Sequence, residues 1–214
     1  MTGLKVAQMA DVLFDVLEWI HHHPPKHLKK LRIMVNFSGK TFGDEYVKKL
    51  CGIPALSTLT SLRLGRSEMT NQGCSFIANC EHFQNLTELS VDTTKCDENG
   101  VEEIVRSKYM SNLTSLRFYH NKIRKIDGIL SCPLFLRVKK LNLSHCLIER
   151  LIFPQVMPLL ENLNVKSNRF KPNDVVALTQ TRNLTRLKMD CGLDDDGCKI
   201  ISENQYSPPS NTTE

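Results

Sequence analysis

The sequence predicts an α/β solenoid, a parallel sheet built from one strand per repeat with helices and irregular segments on its other side. Two observations carry this. The stretch LTSLRLGRS at residues 59–67 returns as LTSLRFYHN at 113–121, and LTELSVDTT stands midway at 86–94, so the separation is two periods of 27. The residues kept between copies are mainly Leu and the ones lost are polar, which marks a repeated structural unit rather than a duplicated site. Self-similarity at a period of roughly 20–50 residues belongs to units that bury a common core only by stacking on one another.

The template extends in both directions. LKKLRIMVN begins at Leu28, VKKLNLSHC at Val138, LENLNVKSN at Leu160 and LTRLKMDCG at Leu184, so that successive starts lie 31, 27, 27, 25, 22 and 24 residues apart. Alternate side chains of a strand point to opposite faces, which turns the fourth and sixth positions inward and their neighbours outward. This L-x-x-L-x-L-x-x-[N/C/T/S] unit, seven times over residues 28–201, resembles the leucine-rich repeat family. The resemblance implies a horseshoe arc with a concave parallel sheet. It also implies that the ninth residue bonds the neighbouring loop backbone through an Asn amide. Asn36, Asn121 and Asn168 fit, whereas Ser67, Thr94, Cys146 and Gly192 stand at that position elsewhere. Ser and Thr replace the amide in part and Gly not at all.

At the start of the chain, LKV at 4–6 lies 27 residues before LRI at 31–33, and an apolar-periodic stretch runs from Val6 to Ile20. Residues 1–27 are therefore read as an N-terminal helix with a partial repeat or cap. Within them DVLFDVLEWI also resembles the opening helix of an F-box, the module that ties substrate receptors to cullin-type ubiquitin ligases, although the rest of that module is missing. HHHPPKH at 21–27 is a connecting loop in which Pro-Pro stops the helix. Helices are expected from GDEYVKKL at 43–50, MTNQGCSFI at 69–77, CDENGVEEI at 96–104, KPNDVVAL at 171–178 and LDDDGCKII at 193–201, with Thr70, Asp97 and Asp194 as N-caps. These longer units resemble the ribonuclease-inhibitor-like and cysteine-containing subclasses. The 22-residue unit from Val138 is too short for much helix and is expected to turn through an extended or 3₁₀ segment. The repeat domain then spans 28–202. Residues 203–214 form a polar, Pro-containing tail expected to be disordered, which points to a longer array or to a partner covering the last repeat.

The chain of 214 residues carries a net charge of +5 and shows no block of like charge. Asp11, Asp15 and Glu18 interrupt the early apolar pattern, which a signal peptide or membrane span avoids, so a cytoplasmic or nuclear protein is expected. The eight Cys then read as reduced thiols, mostly small core residues. Three of the six N-x-[ST] sequons are the same NLT at one repeat position. No Gly-rich phosphate loop, nucleophile elbow or paired-carboxylate motif occurs, so no enzyme and no cofactor is expected.

Leucine-rich repeat proteins bind through the concave sheet, and the register names the residues expected there. The third, fifth, seventh and eighth positions together hold nine Lys or Arg against three Asp or Glu. Arg32, Arg63 and Arg117 are expected to clamp carboxylates of an acidic protein segment, with Tyr119 as aromatic anchor. Arg66, His120 and His145 at position eight and Lys140, Lys166, Arg186 and Lys188 further along complete the candidate surface. Nucleic acid fits poorly because Tyr119 is the only aromatic residue in these columns. His120 and His145 read as stacked loop histidines rather than metal ligands, since Cys146 beside them is at a buried position. Cys191 and Cys198 read as core, and the acidic run Asp194–Asp196 as capping. The F-box resemblance carries an alternative: a substrate-recognition subunit of a ubiquitin ligase, with an adaptor bound at residues 1–27.

Overall fold

A computed structural model describes residues 3–6, 10–23, 25–34, 43–152, 157–170 and 183–189. The expected helices at 171–178 and 193–201, Cys191, Cys198 and the tail at 203–214 lie outside these residues. Eight strands form one sheet in chain order, all parallel: β1 (Gly3–Val6), β2 (Lys30–Met34), β3 (Ser61–Gly65), β4 (Glu88–Asp92), β5 (Ser115–Arg117), β6 (Lys140–Asn142), β7 (Asn162–Asn164) and β8 (Arg186–Lys188). The register aligns the fourth position of every repeat, so Leu4, Leu31, Leu62, Leu89, Leu116, Leu141, Leu163 and Leu187 make one column of leucine across the sheet. From Leu31 to Leu163 this column is buried, and so is the sixth-position column of Ile33, Leu64, Val91, Phe118, Leu143 and Val165. Each such side chain contributes about 1.5–3 kcal/mol by leaving water.

On the side of the sheet that the leucine column faces run α1 (Ala10–His22), α2 (Asp44–Cys51), α3 (Asn71–Ala78), α4 (Glu98–Arg106) and the single turn α5 (Asp127–Leu130). Leu17, Ile20, Val47, Leu50, Cys74, Ile77, Val101 and Ile104 join the strand leucines in one core. Each of four units then closes with a 3₁₀ turn, at 54–58, 81–83, 108–110 and 133–136, whose Leu56, Phe83, Met110 and Phe135 point inward. The short unit departs from the others: between β6 and β7 the described residues contain no helix and no 3₁₀ turn. With 22 residues per period the chain has just enough length to return, and Ile148, Leu151 and Met157 fill the core without helical support.

Polar groups tie one repeat to the next in three further ladders. The first joins helix N-termini. Thr70 caps α3 by accepting from Gln72 N at 3.2 Å, and donates its hydroxyl to Asp44 at 2.7 Å; one repeat on, Asp97 caps α4 by accepting from Asn99 N at 2.9 Å and from the Asn71 amide at 2.7 Å. The second satisfies helix C-termini, where the residue before each of the last three 3₁₀ turns donates to a carbonyl of the previous unit: Cys80 to Cys51, Ser107 to Ala78 and Cys132 to Val105. The third explains the repeated NLT. Asn85 and Asn112 donate to the carbonyls of Ser57 and Gln84 at 2.9 Å, while Thr87 and Thr114 donate to those of Thr60 and Thr87. Buried or half-buried carbonyls left without such donors would cost about 1–3 kcal/mol each.

The ninth position behaves as expected at Asn121 and Asn168, while Asn36 lies outside the described residues. Asn121 is buried, donates to Val91 O at 2.6 Å and accepts from both the amide (2.9 Å) and hydroxyl (2.7 Å) of Thr94. Asn168 donates to Leu143 O at 2.8 Å. Cys146 takes the same place with its thiol, which donates to Phe118 O at 3.2 Å. Ser67 is too short for this reach, and its hydroxyl is the one buried side-chain polar atom without a partner among the described residues.

Candidate functional site

The face of the sheet turned away from the helices is built by positions three, five and seven. Alternation along each strand puts them there, as the exposed Lys30 and Arg32 beside the buried Leu31 and Ile33 show. Among the described residues position eight is in the left-handed region after five strands: Arg66, Thr93, His120, His145 and Ser167 all have φ between 54° and 56°. That conformation is unusual for residues other than Gly. It is held by a continuation of the sheet ladder, in which the amides of Arg66, Thr93, His120 and His145 donate to the carbonyls of Asp92, Tyr119, Ser144 and Lys166 in the next repeat.

Four of the candidate arginines converge. Arg32, Arg63, Arg66 and Arg117, with Tyr119, line a depression of about 150 Å³ that also touches Met34, Gly65, Ser90, Asp92 and Thr93. Gly65 lies in its lining. At position seven its neighbours are Met34 and Asp92, and a Cβ on Gly65 would meet Asp92 O at 3.2 Å, so the strands approach closely there.

Asp92 braces one wall. Its Oδ2 accepts from Arg117 Nε at 3.0 Å and from Ser90 Oγ at 2.8 Å, while its Oδ1 accepts from Tyr119 N at 3.1 Å. Arg117 is thus already clamped to a carboxylate of its own chain. Arg63 lies 3.6 Å from Glu88, whose carboxylate also accepts from Ser61 Oγ at 3.0 Å. Both pairs are partly exposed, and exposed pairs are worth about 0–1 kcal/mol each, so they orient more than they stabilise. Arg32 rests on the sulfur of Met34, with nitrogens at 3.0 and 2.8 Å. Among the described residues neither Arg32 nor Arg66 has a carboxylate within salt-bridge distance.

Tyr119, His120 and His145 form an aromatic ledge beside the depression. The Tyr119 ring meets His145 edge-on at 5.1 Å between centroids and His120 at 5.8 Å, and the two imidazoles are 6.4 Å apart. Among the described residues no group of three His, Cys, Asp or Glu is placed to hold a metal ion. Lys140 on β6, Lys166 beyond β7, and Arg186 and Lys188 on β8 are exposed but do not line the depression. The register had placed all eleven candidates in one list, and the structure brings five of them together. Sequence reasoning missed Gly65, Ser90 and Asp92, although a Gly in a column of side chains was the available signal.

The thiols on the other side are of a different kind. Burial pushes Cys146 up to about 11, and the neighbouring Cys96 thiol, then burial, raise Cys74, whose sulfur is 3.0 Å away. Cys80 is held below its ordinary value by the Cys51 thiol and by the amides of His82 and Phe83, while the same contact with Cys80, then burial, raises Cys51.

Eight parallel strands with one aligned leucine column, and helices or irregular segments behind them, define a leucine-rich repeat solenoid. Similarity to solved structures agrees: an internalin (inlF) from Listeria monocytogenes shares this fold with a TM-score of 0.58 at 16% identity. The match covers 86% of this chain and 55% of that one, so the chain spans little more than half the length of the internalin structure. No protein-family model and no curated protein matches the sequence. Among the described residues no helix is long and apolar enough to cross a membrane.

Proposed function

We propose that the chain is a protein-interaction module that binds rather than catalyses, and that it takes an acidic segment of a partner at the Gly65 depression. The observation that carries this reading is the convergence of Arg32, Arg63, Arg66 and Arg117 on one small hollow of an otherwise extended sheet face. Guanidinium groups bind carboxylates bidentately, and Tyr119 supplies a rigid aromatic surface at low entropic cost. Lys140, Lys166, Arg186 and Lys188 extend the positive face and steer an acidic partner toward it.

Affinity capture with quantitative mass spectrometry tests this, comparing the native chain, Arg63→Glu/Arg66→Glu and an Arg106→Glu control on α4. Partners bound at the hollow fall at least tenfold in the double variant and persist in the control. Equal capture by all three would remove this face from consideration.

The ubiquitin-ligase reading has less support. It rests on residues 11–20, yet β1 pairs with β2 over four residues at the 27-residue spacing, and α1 follows as the helix of the same unit. That arrangement speaks for one more repeat. An adaptor pull-down with residues 1–27 deleted from one of two otherwise equal chains separates the readings, since only the ligase reading needs that segment for capture. For the repeats themselves we infer mixed subclasses, helical and ribonuclease-inhibitor-like or cysteine-containing from β2 to β5, and non-helical between β6 and β7 among the described residues.

A further inference from the structure

We propose that the Gly65 depression recognises a phosphomonoester, the phosphorylated side chain of a partner's segment, rather than a carboxylate. This deepens the reading above and rests on it. Charge is the first argument. Four arginines surround or line the hollow, and the two carboxylates that reach them are Asp92 on Arg117 and Glu88 on Arg63, so 4 − 2 leaves +2. A carboxylate would neutralise half of that. A phosphomonoester carries about −1.5 to −2 at neutral pH, which matches the charge, and offers three strong acceptor oxygens to the guanidinium donors.

Size is the second argument. Pockets for drug-sized ligands run to roughly 300–1,000 Å³. This one, at about 150 Å³, accepts a single tetrahedral group and the start of the chain that bears it. Gly65, Tyr119 and Arg66, the last in the left-handed conformation, are part of its lining.

The third argument is preorganisation. Arg117 is fixed by Asp92, which Ser90 and the Tyr119 amide hold in turn, so one guanidinium stands ready without ordering cost. Arg32 and Arg66, without carboxylates among the described residues, supply the free charge. A nucleic-acid strand presents one charge per phosphate and needs a basic groove that tracks its backbone over several nucleotides; a hollow of about 150 Å³ favours the single phosphorylated side chain.

The test uses the full chain and fluorescence polarisation at about 150 mM salt. The probes are degenerate peptide libraries with a fixed central phosphoserine, phosphothreonine or phosphotyrosine, a matched library with Glu in its place, and a twelve-residue oligothymidylate. At least one phosphorylated library binds more than fivefold tighter than the Glu library and than the oligonucleotide. That advantage disappears in Arg32→Ala and Arg66→Ala and survives in Arg106→Ala, all checked for native circular dichroism. An advantage of fivefold or less for every phosphorylated library overturns the proposal, as does tightest binding of the oligonucleotide. If the Glu library then binds equally well and is lost in Arg63→Glu, the acidic-segment reading stands alone. If no library binds and capture of partners is indifferent to Arg63→Glu/Arg66→Glu, both fall.

Discussion

Gly100→Ala tests how closely the repeats stack. Gly100 lies in the first turn of α4, and a Cβ there would stand 2.6 Å from Asn71 Oδ1 and 3.0 Å from Cys74 Sγ on α3. Asn71 has little room to yield, because its amide both accepts from Asp97 N at 3.0 Å and donates to Asp97 Oδ1 at 2.7 Å. Displacing it removes one neutral hydrogen bond, about 1 kcal/mol, and one to a carboxylate, about 2 kcal/mol. Overpacking adds about 1–3 kcal/mol, and replacing Gly in a helix returns about 1 kcal/mol. The expected loss is about 3–5 kcal/mol, which for a chain of this size lowers the melting temperature by roughly 6–20 °C. Gly128→Ala on α5 is the internal control. Nothing lies within 4 Å of its Cβ position, so the same substitution is neutral or stabilising by up to about 1 kcal/mol. Thermal and urea unfolding followed by circular dichroism measure both. If Gly100→Ala proves as stable as Gly128→Ala, α3 and α4 do not approach as described and the capping ladder is wrong.

Asn121→Ala strips three hydrogen bonds from a buried site and leaves Val91 O and the Thr94 amide unmatched, an expected loss of about 3 kcal/mol in urea unfolding. Stability also declines in alkali. Cys146 rises from an ordinary 9.0 to about 11 on folding, so its contribution is fully present below pH 9 and is lost as pH climbs toward 11, in all about 3 kcal/mol. The raised Cys51 and Cys74 act in the same direction. Cys146→Ser keeps the donor to Phe118 O but does not titrate there, so the fall in urea midpoint between pH 8 and 10.5 becomes shallower; an unchanged slope would contradict the assignment.

What the sequence disclosed and what it hid divide along a physical line. Strand contacts repeat with the period, so L-x-x-L-x-L placed the core columns, and with them the outward residues, without knowledge of the path between strands. Asn121 and Asn168 were legible for the same reason. The ties of the three ladders run between units at offsets of 26 to 29 residues that depend on how each return segment closes, as with Cys80 to Cys51 at 29 and Cys132 to Val105 at 27. Gly73 and Gly100 share a place in the two quoted stretches, yet only the contact with the preceding unit reveals why. The binding face was legible as columns of charge, but the columns gave every arginine equal standing. Asp92 changes that, since it braces Arg117 beside the hollow that Arg32, Arg63 and Arg66 also line.

Photo-crosslinking locates the binding face directly. Tyr119 replaced by p-benzoylphenylalanine keeps an aromatic ring at the rim of the hollow, and the same probe at Phe76, half-exposed on α3, reports the opposite side. The account predicts partner adducts from position 119 that Arg63→Glu/Arg66→Glu abolishes, with none from position 76. Adducts from position 76 alone would contradict it.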